Sequence, residues 1–83
     1  MELNQILSEL NEIFIDILDN DHIVLNMSSN SKQIDEWDSL NNMQLVVAIE
    51  KRYKIKFTAN EIQGWNSIGD MCESIQRKKQ KHL

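Results

Sequence analysis

Apolar side chains return at Leu3, Ile6, Leu7, Leu10, Ile13, Phe14, Ile17 and Leu18. This is the i, i+3, i+4, i+7 spacing by which a helix buries one stripe and leaves the rest of its surface in water. Glu2, Glu9, Glu12 and Asp16 fall mostly off that stripe. A first helix is therefore expected from Leu3 to the polar cluster DNDH at 19–22, whose side chains compete with helical backbone bonds. The pattern then stays irregular until about Asp38, a long connection for a small domain, and such connections are functional or disordered. Ile23, Val24, Leu25, Met27, Ile34 and Trp37 are too apolar for a solvated linker. The expectation is a loop pinned to the helices by those six side chains, with SSNSK at 28–32 as its most mobile part and room for a short helical turn.

A second helix is expected from about Ser39 to Tyr53 or Lys54, with Asp38 as N-cap because its carboxylate can accept unpaired amides of the first turn. In TANEIQG, Thr58 and Glu61 have the T-x-x-E spacing of a capping box, which opens a short third helix that Gly64 could close in the left-handed conformation. Ser67 and Asp70 repeat a weaker version of that signal before Ile68, Met71, Cys72 and Ile75, the inward positions of a fourth helix. The basic stretch QRKKQKHL suits a helix C-terminus and then frays. The expected fold is all-α: a small four-helix bundle with a long loop between helices one and two, a short third helix, a helical core over about 3–76 and a basic tail over 77–83.

The second helix carries two apolar stripes. With about 100° per residue and Leu45 as zero, Ala48, Ile49 and Tyr53 lie within about 80° and Val46 at about 100°, whereas Leu40, Met43 and Val47 lie about 140–160° away. The first set predicts the core. The second is more than a thin bundle needs, and clustered surface apolar groups mark docking sites; the bland alternative is a wide core contact closed by the loop. Ser39 stands at the N-terminal end of the second stripe, beside Met43.

Composition narrows the possible chemistry. A chain of 83 residues buries only about 60–65% of its unfolded surface, which argues against a large catalytic cleft. Residues 1–50 hold ten acids and one lysine, and residues 51–83 hold eight bases and three acids, for a net charge of -4. That asymmetry suggests charged partners, while the acidic majority argues against nucleic acid, whose binding rests on phosphate neutralisation. A single cysteine allows no internal disulfide, no apolar run approaches the roughly 18–20 residues of a membrane span, and MELNQILSEL lacks a signal peptide's basic and apolar regions. A monomeric cytoplasmic protein is expected. Cys72 has the spacing of a buried residue, and His22 and His82 have no ligand-spaced neighbours, so no metal site is expected. Trp37 and Trp65 read as anchors for the loop and third helix, with Trp37 also placed to touch a partner. Lys51, Arg52, Lys54 and Lys56 read as a solvated basic face. No phosphate loop or catalytic triad can be assembled.

The stretch DEWDSLNNMQLV at 35–46 puts Asp38-Ser39-Leu40 at a helix start after a long apolar loop, and the chain continues NNMQLVVAIEKRYKIKF and EIQGWNSIGDMCESI. In this order, over nearly the whole chain, these features resemble the acyl carrier protein family. The resemblance implies a carrier rather than an enzyme. It implies a 4'-phosphopantetheine arm, taken from coenzyme A, on Ser39 beside Asp38, with acyl groups held as thioesters on the arm's thiol. The partners it implies are a phosphopantetheinyl transferase, an acyl-activating enzyme or acyltransferase, and a ketosynthase or other synthase, met through Leu40, Met43, Val47, Glu50 and Trp37. Carriers of bulk fatty-acid biosynthesis look more acidic along helix two, where this chain has Asn41, Asn42, Gln44, Lys51 and Arg52, and the glycine pair common before the serine of peptidyl carriers is replaced by Glu36 and Trp37. The expectation is thus a carrier for a specialised acyl or polyketide-type pathway. The alternatives are an aminoacyl or peptidyl carrier, or a helical adaptor without covalent cargo.

Overall fold

The computed structural model describes residues 2–80, which form α1 (Leu3–Leu18), α2 (Ser39–Tyr53), α3 (Ala59–Gln63) and α4 (Ile68–Gln80), with no strand among the described residues. Helix α1 packs against both α2 and α4. Ile6, Leu10 and Phe14 from α1, Leu45 and Ile49 from α2, and Ile68, Met71, Cys72 and Ile75 from α4 are fully buried between them. Burial pushes the Cys72 thiol up to about 11. At the open edge of the α1–α2 contact, the Tyr53 hydroxyl donates to the Glu9 carboxylate, and Arg52 pairs with Glu9 at 3.9 Å and Glu12 at 3.6 Å. No helix among the described residues is long and apolar enough to cross a membrane.

The long loop is anchored largely as expected, with one correction. Ile23 and Leu25 are buried, and Met27, Ile34 and Trp37 pack on the core, but Val24 is 84% exposed. The Asn11 side chain explains it: its amide donates to the Ile23 carbonyl at 3.2 Å and its oxygen accepts from the Leu25 amide at 2.6 Å, as a neighbouring strand would. Flanking side chains then point inward and the one between them points out.

Within the stretch 28–32, expected as the loosest, Ser29 is fastened to α4, while Ser28, Ser31 and Lys32 are exposed. Ser29 is buried, its carbonyl accepts from the Ile68 amide at 2.8 Å, and the Met27 carbonyl accepts from the Gly69 amide at 2.8 Å. These carbonyls satisfy two amides that the first turn of any helix leaves without an internal partner. The approach is close enough that a Cβ on Gly69 would come within 3.0 Å of the Met27 oxygen. Ser67 and Asp70 also act here, shifted from a regular box: the Asp70 amide donates to Ser67 Oγ at 3.4 Å, while the Asp70 carboxylate accepts from the Asn66 amide rather than from Ser67.

The capping box of α3 is formed, with Glu61 N donating to Thr58 Oγ1 at 3.1 Å and Thr58 N donating to Glu61 Oε1 at 2.8 Å. The Thr58 amide holds the Glu61 carboxyl below its ordinary range, helped by Lys78 at 3.0 Å. Gly64 corrects the expectation of a left-handed stop: its φ is -79° and its ψ -9°. Continuing right-handed lets Trp65 N reach the Ile62 carbonyl at 3.3 Å and sets the indole edge-on to Phe57, with ring centroids 4.8 Å apart. Among the described residues, the left-handed ones are Asp19 and Lys54, at the ends of α1 and α2. The reversal at Lys54 turns Ile55 into the core. Helix α4 continues past 76 to Gln80, its last turns held by Lys78 on Glu61 and by Lys79 Nζ, which donates to the Tyr53 carbonyl at 3.2 Å. Positions 81–83 of the expected tail, His82 included, lie outside the described residues.

Candidate functional site

The entrance to α2 is held from three directions. Asp38 is extended, and its Oδ1 accepts from the Asn41 amide at 2.8 Å, the N-cap bond expected from sequence. The Asn41 side chain donates to the Glu36 carbonyl at 2.7 Å. Trp37 donates from Nε1 to Asn42 Oδ1 at 2.8 Å and meets the Phe14 ring edge-on at 5.0 Å. These contacts make Trp37 an anchor and fix the first helical residue, Ser39, in space. Ser39 is exposed, and its hydroxyl has no hydrogen-bond partner among the described residues.

An exposed hydroxyl at this position is suited to carry an anion. The amides of Ser39 and Leu40 have no carbonyl within their own helix to bond, and the helix dipole places positive potential there. A half-open cleft of about 390 Å³ begins at the same point, lined by Ser31, Trp37, Asp38, Ser39, Asn42, Ile62, Trp65, Asn66 and Ser67. Of these, Ser31, Asn42, Ile62, Asn66 and Ser67 carried no functional reading from sequence, and Trp65 was read only as an anchor. Their chain separation hides the cleft; the one local hint is a second tryptophan in a polar neighbourhood.

Leu40, Met43 and Val47 form an exposed apolar line along α2, 71, 56 and 45% exposed. Glu50 is half-buried and its Oε2 accepts from the Phe57 amide at 2.8 Å, so this carboxylate also fastens the α2–α3 connection. The basic run divides. Lys51, Lys54 and Lys56 surround a shallow groove of about 470 Å³ with Val47, Glu50 and Ile55. Arg52 faces the other way, onto Glu9 and Glu12, and does not belong to the same basic face.

Residues 8–75 match the family described as phosphopantetheine attachment site. The fold matches the solution structure of holo acyl carrier protein from Geobacter metallireducens with a TM-score of 0.87 and 39% sequence identity, over 93% of this chain and 88% of that one. Comparison with curated proteins returns no match. The chain belongs to the acyl carrier protein family, whose members are carriers with a phosphopantetheine prosthetic group and not catalysts. Phosphopantetheinyl transferases and acyl-transferring enzymes are the partner classes the family implies. The residues present fit the group: a solvent-facing hydroxyl at a fixed helix N-terminus, with an open cleft beside it.

Proposed function

We propose that Ser39 is the attachment residue and that the protein presents acyl groups to the enzymes of a specialised acyl or polyketide-type pathway, as a cytoplasmic monomer. When bound, the arm supplies the thiol on which acyl groups are held as thioesters. The observation that carries the assignment is the exposed, unpartnered Ser39 hydroxyl at the first position of α2. Asp38 holds that first turn open to solvent by taking the Asn41 amide. Leu40, Met43 and Val47 offer an apolar seat to a partner enzyme, with Trp37 and Glu50 at its ends.

The state of the carboxylates supports the specialised pathway. Asp38 and Glu50 are the acids of α2 and its N-cap, and each already accepts a backbone amide, from Asn41 and Phe57. Lys51 extends the face with the opposite charge. A strongly basic partner gains little on such a surface.

The attachment test is incubation with coenzyme A and a broad-specificity phosphopantetheinyl transferase, read by intact mass. One arm should be added to the native sequence and none to Ser39→Ala; a labelled Ser39→Ala protein would remove the assignment. For the pathway, a fatty-acid ketosynthase should bind the loaded protein weakly, and Lys51→Glu should strengthen binding most at low salt. Arg52→Glu should bring no gain, because that side chain faces α1. Tight binding of the native sequence, unchanged by Lys51→Glu, would favour an ordinary fatty-acid carrier.

A further inference from the structure

The apolar line on α2 does not stop at Val47. One turn further on it runs into the shallow groove where Lys51, Lys54 and Lys56 stand exposed around Val47, with Ile55 beneath. None of these three lysines pairs with a carboxylate among the described residues, whereas Arg52, Lys78 and Lys79 all have internal partners. The one acid in the groove, Glu50, is already engaged with the Phe57 amide. The negative end of the helix dipole accounts for Lys51, in the last turn of α2, but not for Lys56, which lies beyond the Lys54 cap. Lys54 itself sits at φ 57°, a conformation that glycine takes freely and that costs a residue with a Cβ. Its ammonium makes no ion pair within the fold to offset that cost.

We propose that this groove receives an acidic amphipathic segment of a partner enzyme, with carboxylates on the lysines and an apolar side chain on Val47; the proposal rests on α2 being the face that partners meet. Three unpaired cations around an apolar floor match a short peptide in which acids flank an aliphatic residue. They do not match a long polyanion or a membrane surface. The chain as a whole carries a net charge of -4, with ten acids among residues 1–50. An extended anionic surface would meet that repulsion, whereas a short segment within a screening length of the lysines would not. The groove then selects partners by the sign of their charge. An enzyme with basic docking residues is repelled by Lys51 and Lys54, and one with acidic residues is steered onto them.

The test titrates the full chain, before and after treatment with coenzyme A and a broad-specificity transferase, and follows backbone amides by nitrogen-15 NMR. The probes are a synthetic peptide of leucines flanked by glutamates, the same peptide with lysines in place of the glutamates, polyglutamate, and phosphatidylglycerol vesicles. The glutamate peptide should move the amides of Val47, Lys51, Lys54, Ile55 and Lys56, less so at high salt, and the lysine peptide should leave them in place. Lys54→Gly, which relieves the left-handed backbone, and Lys56→Ala should each weaken that binding about two- to five-fold, the range of an exposed ion pair. Unchanged affinity in both variants would overturn the proposal. So would equal binding of polyglutamate or the vesicles, which would reduce the groove to a patch of charge. Shifts confined to Leu40 and Met43 would leave α2 as a docking face and remove its acidic partner. Intact mass of the same samples reports on Ser39 separately, so an unmodified serine with the groove shifts present would end the attachment reading alone.

Discussion

Helix α2 has two apolar faces made of nearly the same residue types, and the fold uses only one. Leu45, Val46 and Ile49 face inward and are at most 2% exposed, while Leu40, Met43 and Val47 on the opposite side are at least 45% exposed. Intrinsic hydrophobicity does not separate the sets; what lies across from them does. The inward face meets α1 and the core, and at its end Tyr53 adds a hydrogen bond to Glu9. The outward face continues from Ser39 and stays open to solvent at Leu40, Met43 and Val47. One face belongs to stability and the other is available for function, so substitutions on the two should have separable consequences.

The largest effect is expected for Ile49→Ala, which removes a fully buried aliphatic side chain and should cost about 2–5 kcal/mol in denaturant unfolding. Tyr53→Phe should cost less, about 1–2 kcal/mol, because the lost hydrogen bond is to a charged group that retains Arg52 and access to water. It should also change the response to alkali. Burial and Glu9 raise the Tyr53 pKa, so the native protein keeps a proton that the unfolded chain releases near 10.0. The stabilisation is complete below pH 10 and is lost as pH rises above it. Cys72, raised from 9.0 to about 11, gives a fall of the same sign starting lower. Unfolding curves of the native protein and Tyr53→Phe, compared above pH 10, isolate the phenol's share as the slope the variant lacks. The smallest effect on stability is expected for Val47→Ala, under about 0.5 kcal/mol, together with slower modification or acyl transfer. Equal destabilisation by Ile49→Ala and Val47→Ala would erase the distinction between the faces.

Much of this contrast was legible in the sequence, because helical periodicity separates Leu45 and Ile49 from Leu40 and Val47 without knowledge of the fold. Local chemistry was legible as well: Asp38 caps α2, and Thr58 and Glu61 form their box, since each bond spans only three residues. What was hidden depends on distant residues. Val24 is turned outward by Asn11, and Ser29 is buried because α4 needs acceptors for its first amides. Arg52 is drawn to Glu9 and Glu12 across the bundle. Gly64 had the residue type for a left-handed stop, yet the seat for Trp65 on Phe57 requires the turn to continue right-handed. The cleft beside Ser39 was hidden for the same reason, since its walls come from the long loop, α2, α3 and the connection to α4.

The central claim is tested most directly by peptide-level mass spectrometry of the protein isolated from its native host, with fragmentation to locate any adduct. The account predicts phosphopantetheine on the peptide spanning Ser39, placed by fragmentation on that serine and found on no other residue. An unmodified Ser39 together with an arm located elsewhere, or no arm on any peptide, would contradict it.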